Sequence, residues 1–355
     1  MSAVMTAAVM NQTARLTLEK RPVPAAGAGD VLVKVAYVGV CGSDMALFEN
    51  GYIGDSVVTA PMVLGHEASG VVVALGGGVT SLAVGDRVAL EPGVPCGACD
   101  FCREGLYNLC PEVFFWASLP ATEGALQEYV RHPAAWCHRL PDSVSLLEGA
   151  LIEPLSVGFH AVRQAGPGVG DRALVLGAGC VGLLTTLTLR AAGVRDVMVA
   201  DLMPNRLELA EGLGGHPLDA DGLDRLDKEV AAAPSAAPRY VFETAGNAVT
   251  MDRAISLCRP GGTVSFVGYT KSGRADLNVN LLIDKELTVR TVFRYRGCYP
   301  PAIAAVASGA IPADRVVSNV FPFDQAQAAI EHAIRAKANV TKCVIAVDPE
   351  WEIQA

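Results

Sequence analysis

Arg172-Ala173-Leu174-Val175-Leu176-Gly177-Ala178-Gly179-Cys180-Val181-Gly182 is the stretch that decides the fold. Residues of buried-strand character run into a G-x-G-x-x-G turn, and an apolar helix is expected over Leu183 to Ala192. A glycine-rich loop alone says little, but between a strand and a helix it gains meaning. Its first two glycines permit a tight turn and the close approach of a pyrophosphate, and the helix N-terminus supplies N–H groups and a partial positive charge. Gly177, Gly179, Val181 and Gly182 are therefore candidate cofactor-binding residues. A second strand, Asp196 to Ala200, ends at Asp201, 24 residues after Gly177. A carboxylate there can bond both ribose hydroxyls of adenosine and would repel a 2′-phosphate, which favours NAD over NADP. The competing reading makes Asp201 a cap for the helix near Pro204. Arg206 could tolerate a phosphate or lie along the adenine.

Working outward, further strands are expected at Tyr240 to Glu243, at Thr263 to Val267 after the Gly261-Gly262 turn, and at Leu287 to Phe293. Strands alternating with helices predict a parallel, doubly wound sheet that binds ligands at the carboxyl ends of its strands, where Val267, Gly268 and Tyr269 lie. Toward the N-terminus the texture is β-rich, with runs at Val31 to Val35 and Gly70 to Leu75. Two helix-like segments and a strand over Lys342 to Val347 follow Arg294. They are expected to fold back onto the first domain, with Phe293-Arg294-Tyr295 entering the cleft between domains.

Two groups of metal-type donors stand in the N-terminal half. Cys96, Cys99, Cys102 and Cys110 have the spacing C-x2-C-x2-C-x7-C, which suits a closed tetrahedral zinc site stapling a lobe without a core of its own. Cys110-Pro111 resembles the end of an iron–sulfur run, but ferredoxins use a shorter last gap. The second group is dispersed: Cys41, His66, Glu67 and Glu153. Thiolate, imidazole and carboxylate can close around one zinc and leave a position for water or substrate. Each alone reads as a core residue, but Cys41-Gly42-Ser43-Asp44 and Leu64-Gly65-His66-Glu67 are both polar breaks after apolar runs, where sites tend to be built.

Composition narrows the classes. At 355 residues, 51% hydrophobic and 18% charged, the chain suits two folded domains. A net charge of −9 argues against nucleic acid as a partner. The longest uncharged stretch, Ala173 to Leu189, carries three glycines and is short for a membrane span. Ten cysteines without a secretory signal point to thiols and metal in a cytoplasmic protein, not to a disulfide framework.

These motifs resemble the zinc-dependent medium-chain dehydrogenases, and within them the sorbitol (polyol) dehydrogenase branch, over essentially the whole length. The resemblance rests on Cys41-Gly42-Ser43-Asp44, Gly65-His66-Glu67, the four-cysteine lobe, Glu91-Pro92-Gly93, Leu151 to Gly158, Gly177 to Gly182, Asp201 and Phe293-Arg294-Tyr295. It implies an α/β protein with a GroES-like β-rich catalytic domain (1–156 with 294–355, including a zinc lobe at 93–112) and a Rossmann domain (157–293). It implies two zinc ions per subunit, one catalytic and one structural, and NAD. The catalytic ion would take Cys41 and His66, with Glu67 and water completing its shell, and Glu153 would hold that water or ligate directly. Arg294 and Tyr295 would meet substrate hydroxyls, and Phe115 would line the pocket. Val181, Asp201, Arg206, Val267 to Tyr269 and Phe293 to Tyr295 would meet the cofactor. The implied reaction is reversible oxidation of a polyol to a ketose, and the implied assembly a homo-oligomer, a tetramer ahead of a dimer.

Two positions depart from the family. Where relatives carry a proton-relaying histidine and a substrate-contacting tyrosine, this chain has Ala46 and Leu47. Proton exit would then use Ser43, the cofactor ribose and water, or leave by Glu153, and Leu47 makes the pocket less polar than a sorbitol site. Oxidation of L-threonine or of a simple secondary alcohol such as butanediol is the nearest rival reading. A zinc-stabilised, nucleotide-binding redox sensor is the rival from another class.

Overall fold

A computed structural model describes residues 3–53, 56–119 and 122–348 and divides the chain into two units. The first comprises Met1–Glu153, Tyr299–Gly309 and Ala313–Ala355, the second Pro154–Cys298 and Ala310–Pro312.

The first unit is built on a seven-stranded sheet in the order Cys137–Arg139, Arg87–Leu90, Glu67–Leu75, Asp30–Gly39, Cys343–Ala346, Asn319–Pro322, with Tyr129–Pro133 also pairing with Asp30–Gly39. The strand Cys343–Ala346 thus returns from the C-terminal region and pairs antiparallel with Asp30–Gly39. Along Asp30–Gly39 the burial alternates at first and then becomes continuous from Val35 to Gly39, so both faces are covered at the end that leads to Cys41. Glu67–Leu75 is likewise buried throughout its first six residues. One hydrophobic core, including Val33, Val38, Leu64, Leu90, Leu126, Ile330 and Ile345, lies beneath these strands.

The second unit holds a six-stranded, wholly parallel sheet in the order His216–Leu218, Asp196–Ala200, Arg172–Leu176, Tyr240–Glu243, Thr263–Phe266, Thr288–Thr291. Ala173 to Leu176 are buried, as a central parallel strand covered on both faces requires. Sequence order reverses at Arg172–Leu176, which has Asp196–Ala200 on one side and Tyr240–Glu243 on the other. The helix after the glycine loop spans Cys180–Ala191, three residues earlier than the apolar run alone indicates. Gly179 is the N-cap with extended backbone (φ −74°, ψ −177°), so helical geometry begins immediately after it.

The first boundary between the units falls inside the helix Leu146–Ala165, between Glu153 and Pro154. Ser145 starts this helix with a capping box: its Oγ accepts from Glu148 N (3.1 Å), and its own N–H donates to Glu148 Oε2 (2.9 Å). The later boundary differs from the sequence reading, which assigned everything from 294 to the first domain. Arg294 to Cys298 go with the second unit, where Arg163 donates to the carbonyls of Arg296 and Gly297.

Candidate active site

Cys41 follows the strand Asp30–Gly39 and N-caps the helix Gly42–Asn50, while Glu67 begins the neighbouring strand. Gly39 and Glu67 are directly opposite in the antiparallel ladder. A Cβ on Gly39 would lie 2.0 Å from Glu67 Oε2, so the carboxylate folds across a position only glycine can occupy. Gly65 has φ +89°, the left-handed turn that presents His66. Ligand atoms of Cys41, His66 and Glu67 lie within 4.8 Å of one another. His66 and Glu67 are buried, and Cys41 is half-buried.

Two further side chains brace this trio, and the sequence reading gave neither a role. Asp44 is 2% exposed; its Oδ2 accepts from Cys41 N (3.1 Å), its Oδ1 accepts from Gly65 N (3.0 Å), and Oδ1 lies 3.7 Å from His66 Nδ1. A carboxylate on that side of the ring favours a proton on Nδ1 and leaves Nε2 to face a metal. Lys342, 3% exposed, pairs with Glu67 Oε2 and donates to the carbonyl of Val40 (3.0 Å). Asp44 stands in a quoted motif, three residues after Cys41, where its role was open to view. Lys342 had only one signal: a lone cation at the entrance to an apolar strand.

The electrostatics call for a cation. Burial alone would lower the His66 pKa, yet it stands well above its ordinary value because Asp44, Cys41 and Glu153 surround it with negative charge. A proton on the imidazole marks a position that a divalent ion would take with greater effect. Thiolate, imidazole and carboxylate with room for a fourth ligand is a donor set that fits zinc. Glu153, 6% exposed, acts on His66 through its charge but lies outside the 4.8 Å group that holds Glu67. The Phe115 ring stands 5.5 Å from the His66 ring. Ser43 is half-buried on the first turn after Cys41. Leu47, on the helix Gly42–Asn50, is fully buried among core residues.

The second cluster is closed. Sγ of Cys102 lies 3.5 Å from Sγ of Cys99 and 4.0 Å from Sγ of Cys96, and Cys110 joins them within the 4.8 Å group. Four sulfurs bound to one zinc at about 2.3 Å are roughly 3.8 Å apart, and a disulfide would bring two to about 2.05 Å. The cluster therefore fits a single tetrahedral ion, whereas an iron–sulfur cluster spreads its sulfurs over several irons. Main-chain N–H groups of Ala98 and Cys99 bring the Cys96 thiol down to about 7, whereas burial and the neighbouring thiols push Cys102 up to about 12. Tyr107, on the same lobe, donates to buried Glu91 (2.8 Å), whose other oxygen pairs with His138 (2.8 Å).

In the parallel-sheet unit, Gly177 has φ +102°, and a Cβ on Gly182 would sit 1.8 Å from the Gly177 carbonyl oxygen. A Cβ on Gly179 would meet open space, and no side chain caps the helix beginning there, an arrangement that suits the approach of an anion. Asp201 Oδ2 accepts from Ala178 N (2.7 Å) and Oδ1 from Met203 N (2.9 Å), with Arg206 at 3.8 Å. Met203, not Asp201, is the N-cap of the helix Pro204–Gly212. The carboxylate is thus fixed to the glycine loop and retains lone pairs for ribose hydroxyls. This loop and carboxylate fit a dinucleotide. Val267, Gly268 and Tyr269 follow the strand Thr263–Phe266, and Phe293, Arg294 and Tyr295 follow Thr288–Thr291. Tyr295 is buried, and Arg294 adopts φ +53° with its guanidinium 4.7 Å from the Phe293 ring centre.

Known proteins with this arrangement are numerous. Residues 27–142 match the alcohol dehydrogenase GroES-like domain family, and residues 180–308 match the zinc-binding dehydrogenase family. Sorbitol dehydrogenase of Bacillus subtilis is 38% identical over 96% of this chain and 97% of its own length. Sorbitol dehydrogenase of Gallus gallus is 40% identical over 97% and 96%. An Escherichia coli oxidoreductase/dehydrogenase of unknown specificity involved in membrane biogenesis superposes with a TM-score of 0.92 at 36% identity, covering 98% of this chain and all (100%) of that one. The chain belongs to the zinc-binding medium-chain dehydrogenases, in their sorbitol dehydrogenase branch.

Proposed function

We propose that this protein is a zinc-dependent, NAD-linked dehydrogenase that reversibly oxidises a secondary hydroxyl of a polyol of the sorbitol, xylitol or arabinitol type to the ketose. The observation that carries this reading is the trio Cys41, His66 and Glu67, braced by Asp44 and Lys342 with Glu153 close by. When bound there, zinc supplies a Lewis acid that brings the pKa of an alcohol hydroxyl down from roughly 16, and NAD supplies the hydride acceptor.

The chain's own residues hold and orient. Cys41, His66 and Glu67 bind the metal in the β-rich catalytic unit, while Asp44 fixes both ligand loops. Glu153 and Ser43 take up the hydroxyl proton and pass it on, since Ala46 has no group to offer it. Phe115 walls the substrate site, and Arg294 and Tyr295 bond substrate hydroxyls. Gly177, Gly179, Val181, Gly182, Asp201, Arg206 and Val267 to Tyr269 bind NAD in the parallel-sheet unit, with Phe293 to Tyr295 alongside. Cys96, Cys99, Cys102 and Cys110 hold a structural zinc.

The active assembly is a homo-oligomer, a tetramer ahead of a dimer. The edge strand Thr288–Thr291 is exposed along its length, and its Val289, together with Val279 and Ile283 of the preceding helix Val279–Asp284, offers exposed apolar surface suited to burial against a second copy. The compartment is the cytoplasm, where ten cysteines, none of them in a disulfide, remain reduced. No helix among the described residues is long and apolar enough to cross a membrane.

A panel of polyols, L-threonine and 2,3-butanediol, each offered with NAD and scored by kcat/KM, tests the assignment. The reading expects the highest value for a polyol. A clear preference for threonine or butanediol moves the chain to a sister activity, and no turnover with one zinc ion per chain supports the sensor.

A further inference from the structure

Glu243 ends the strand Tyr240–Glu243 and has no solvent exposure, a costly position for a carboxyl group. Burial pushes its pKa up, against hydrogen bonds that pull it down. Its Oε1 accepts from Ala245 N (3.0 Å), Gly246 N (2.8 Å) and the Thr250 hydroxyl (2.7 Å). Its main-chain oxygen accepts from Val267 N (2.9 Å) and Gly268 N (3.1 Å). One residue therefore shapes the loops that follow two adjacent strands. Those loops touch through backbone: a Cβ on Gly268 would lie 2.4 Å from Gly246 N, and one on Gly246 would lie 2.5 Å from the Tyr269 oxygen. Thr244, the next residue, donates its hydroxyl to the carbonyls of Leu176 (3.0 Å) and Gly177 (2.9 Å). The pair Glu243-Thr244 thus joins the glycine loop, the loop 244–247 and the loop 267–269.

The helix Ala248–Leu257 does not require this carboxylate, since Asn247 caps it by accepting from Thr250 N (3.0 Å). What remains to be explained is the loops. Asp201 lies on one side of Arg172–Leu176, and Tyr240–Glu243 and Thr263–Phe266 lie on the other. A dinucleotide with its adenosine at Asp201 and its pyrophosphate on Gly177–Gly182 extends its second nucleoside across the reversal of strand order, toward those ends. We propose that Glu243 is a positioning residue for the nicotinamide half of the cofactor. It sets the main-chain groups of Ala245, Gly246 and Val267 to Tyr269 in the arrangement that half binds. This inference rests on the assignment of Gly177–Gly182, Asp201 and Val267–Tyr269 to NAD.

The test compares NADH with ADP-ribose, which lacks the nicotinamide, as ligands of the zinc-loaded protein. Calorimetric affinities and the KM for NAD are measured for wild type, Glu243→Ala and Glu243→Gln. Loss of the Oε1 acceptor is expected to weaken NADH about tenfold or more in Glu243→Ala and to raise the KM for NAD similarly, with ADP-ribose within about threefold of wild type. Glu243→Gln keeps an oxygen at that place and is expected to restore NADH binding to within about threefold. Equal weakening of both ligands, or no weakening of NADH, overturns the proposal. Should Glu243→Ala fail to fold, Thr250→Val removes one donor to the same oxygen and is expected to weaken NADH alone, by a few-fold; unchanged NADH binding then overturns it. Failure of the underlying assignment looks different: wild type binds neither ligand, or Asp201→Ala leaves ADP-ribose binding untouched.

Discussion

The two metal-type clusters lie in the same unit and are built on opposite principles. Cys96, Cys99, Cys102 and Cys110 come from one short segment, offer four like donors and leave no position open. Cys41, His66 and Glu67 come from the ends of two neighbouring strands, offer three unlike donors and depend on Asp44 and Lys342 to hold them. The first cluster shapes a lobe that has little core of its own. The second is shaped by a core that exists without it, because Val38, Leu64 and Leu126 pack beneath it whatever ion it holds. The contrast teaches that a site meant for chemistry has its geometry set by the fold, whereas a structural site sets the geometry of its own segment.

The largest expected effect breaks the pair apart. Cys41→Ala or His66→Ala should lower kcat by about a thousandfold or more, leave one zinc per chain and barely move the unfolding midpoint. Cys102→Ala should do the reverse: one zinc per chain, a lowered midpoint, and kcat per folded molecule within a few-fold of wild type. Metal analysis, calorimetric melting and NAD reduction on the same preparations check both. Matching activity losses in the two sets would erase the distinction.

The buried pair Lys342–Glu67 sharpens the comparison further. Lys342→Met strands a carboxylate in the core and should destabilise the metal-free protein by about 3–5 kcal/mol. Zinc at Glu67 restores a positive neighbour, so the penalty should shrink in the zinc-loaded protein. Denaturant melts of both forms measure this, and an equal penalty in both would mean that Glu67 is not a ligand.

A smaller effect contrasts two buried histidines of the same unit. His66 stands above its ordinary pKa, so metal binding there must expel a proton and should weaken as pH falls. Burial brings His132 down to about 4. Between pH 6.5 and 4 the unfolded chain then binds a proton at this residue that the folded chain refuses. Its contribution to stability is complete above pH 6.5 and is lost by roughly 3 kcal/mol as pH falls to about 4. His132→Asn should flatten that part of the stability–pH curve; an unchanged slope would place the acid sensitivity elsewhere.

The architecture was legible because it rests on local pattern. The strand-loop-helix around Gly177, the uniform apolar strands of the parallel sheet and the cysteine spacing are all short-range signals. Cys41, His66 and Glu67 were legible singly, through the glycines and polar breaks beside them. Their bracing was less so. Lys342 is far from Glu67 along the chain, and only the pairing of Cys343–Ala346 with Asp30–Gly39 brings it near. Leu47 shows that helix phase, which position in a motif does not reveal, decides how a side chain packs: on Gly42–Asn50 it is buried with the core. The boundary at Cys298 escaped because Arg163 ties Arg296 and Gly297 to the second unit through main-chain carbonyls, which no residue type announces.

The most direct test of the central claim is stepwise removal of zinc with a chelator, following metal content, NAD reduction with the best polyol and far-UV circular dichroism together. Loss of the first ion per chain should abolish reduction of NAD while the fold persists, and readdition of zinc should restore it. Undiminished reduction of NAD by a metal-free protein would contradict the account.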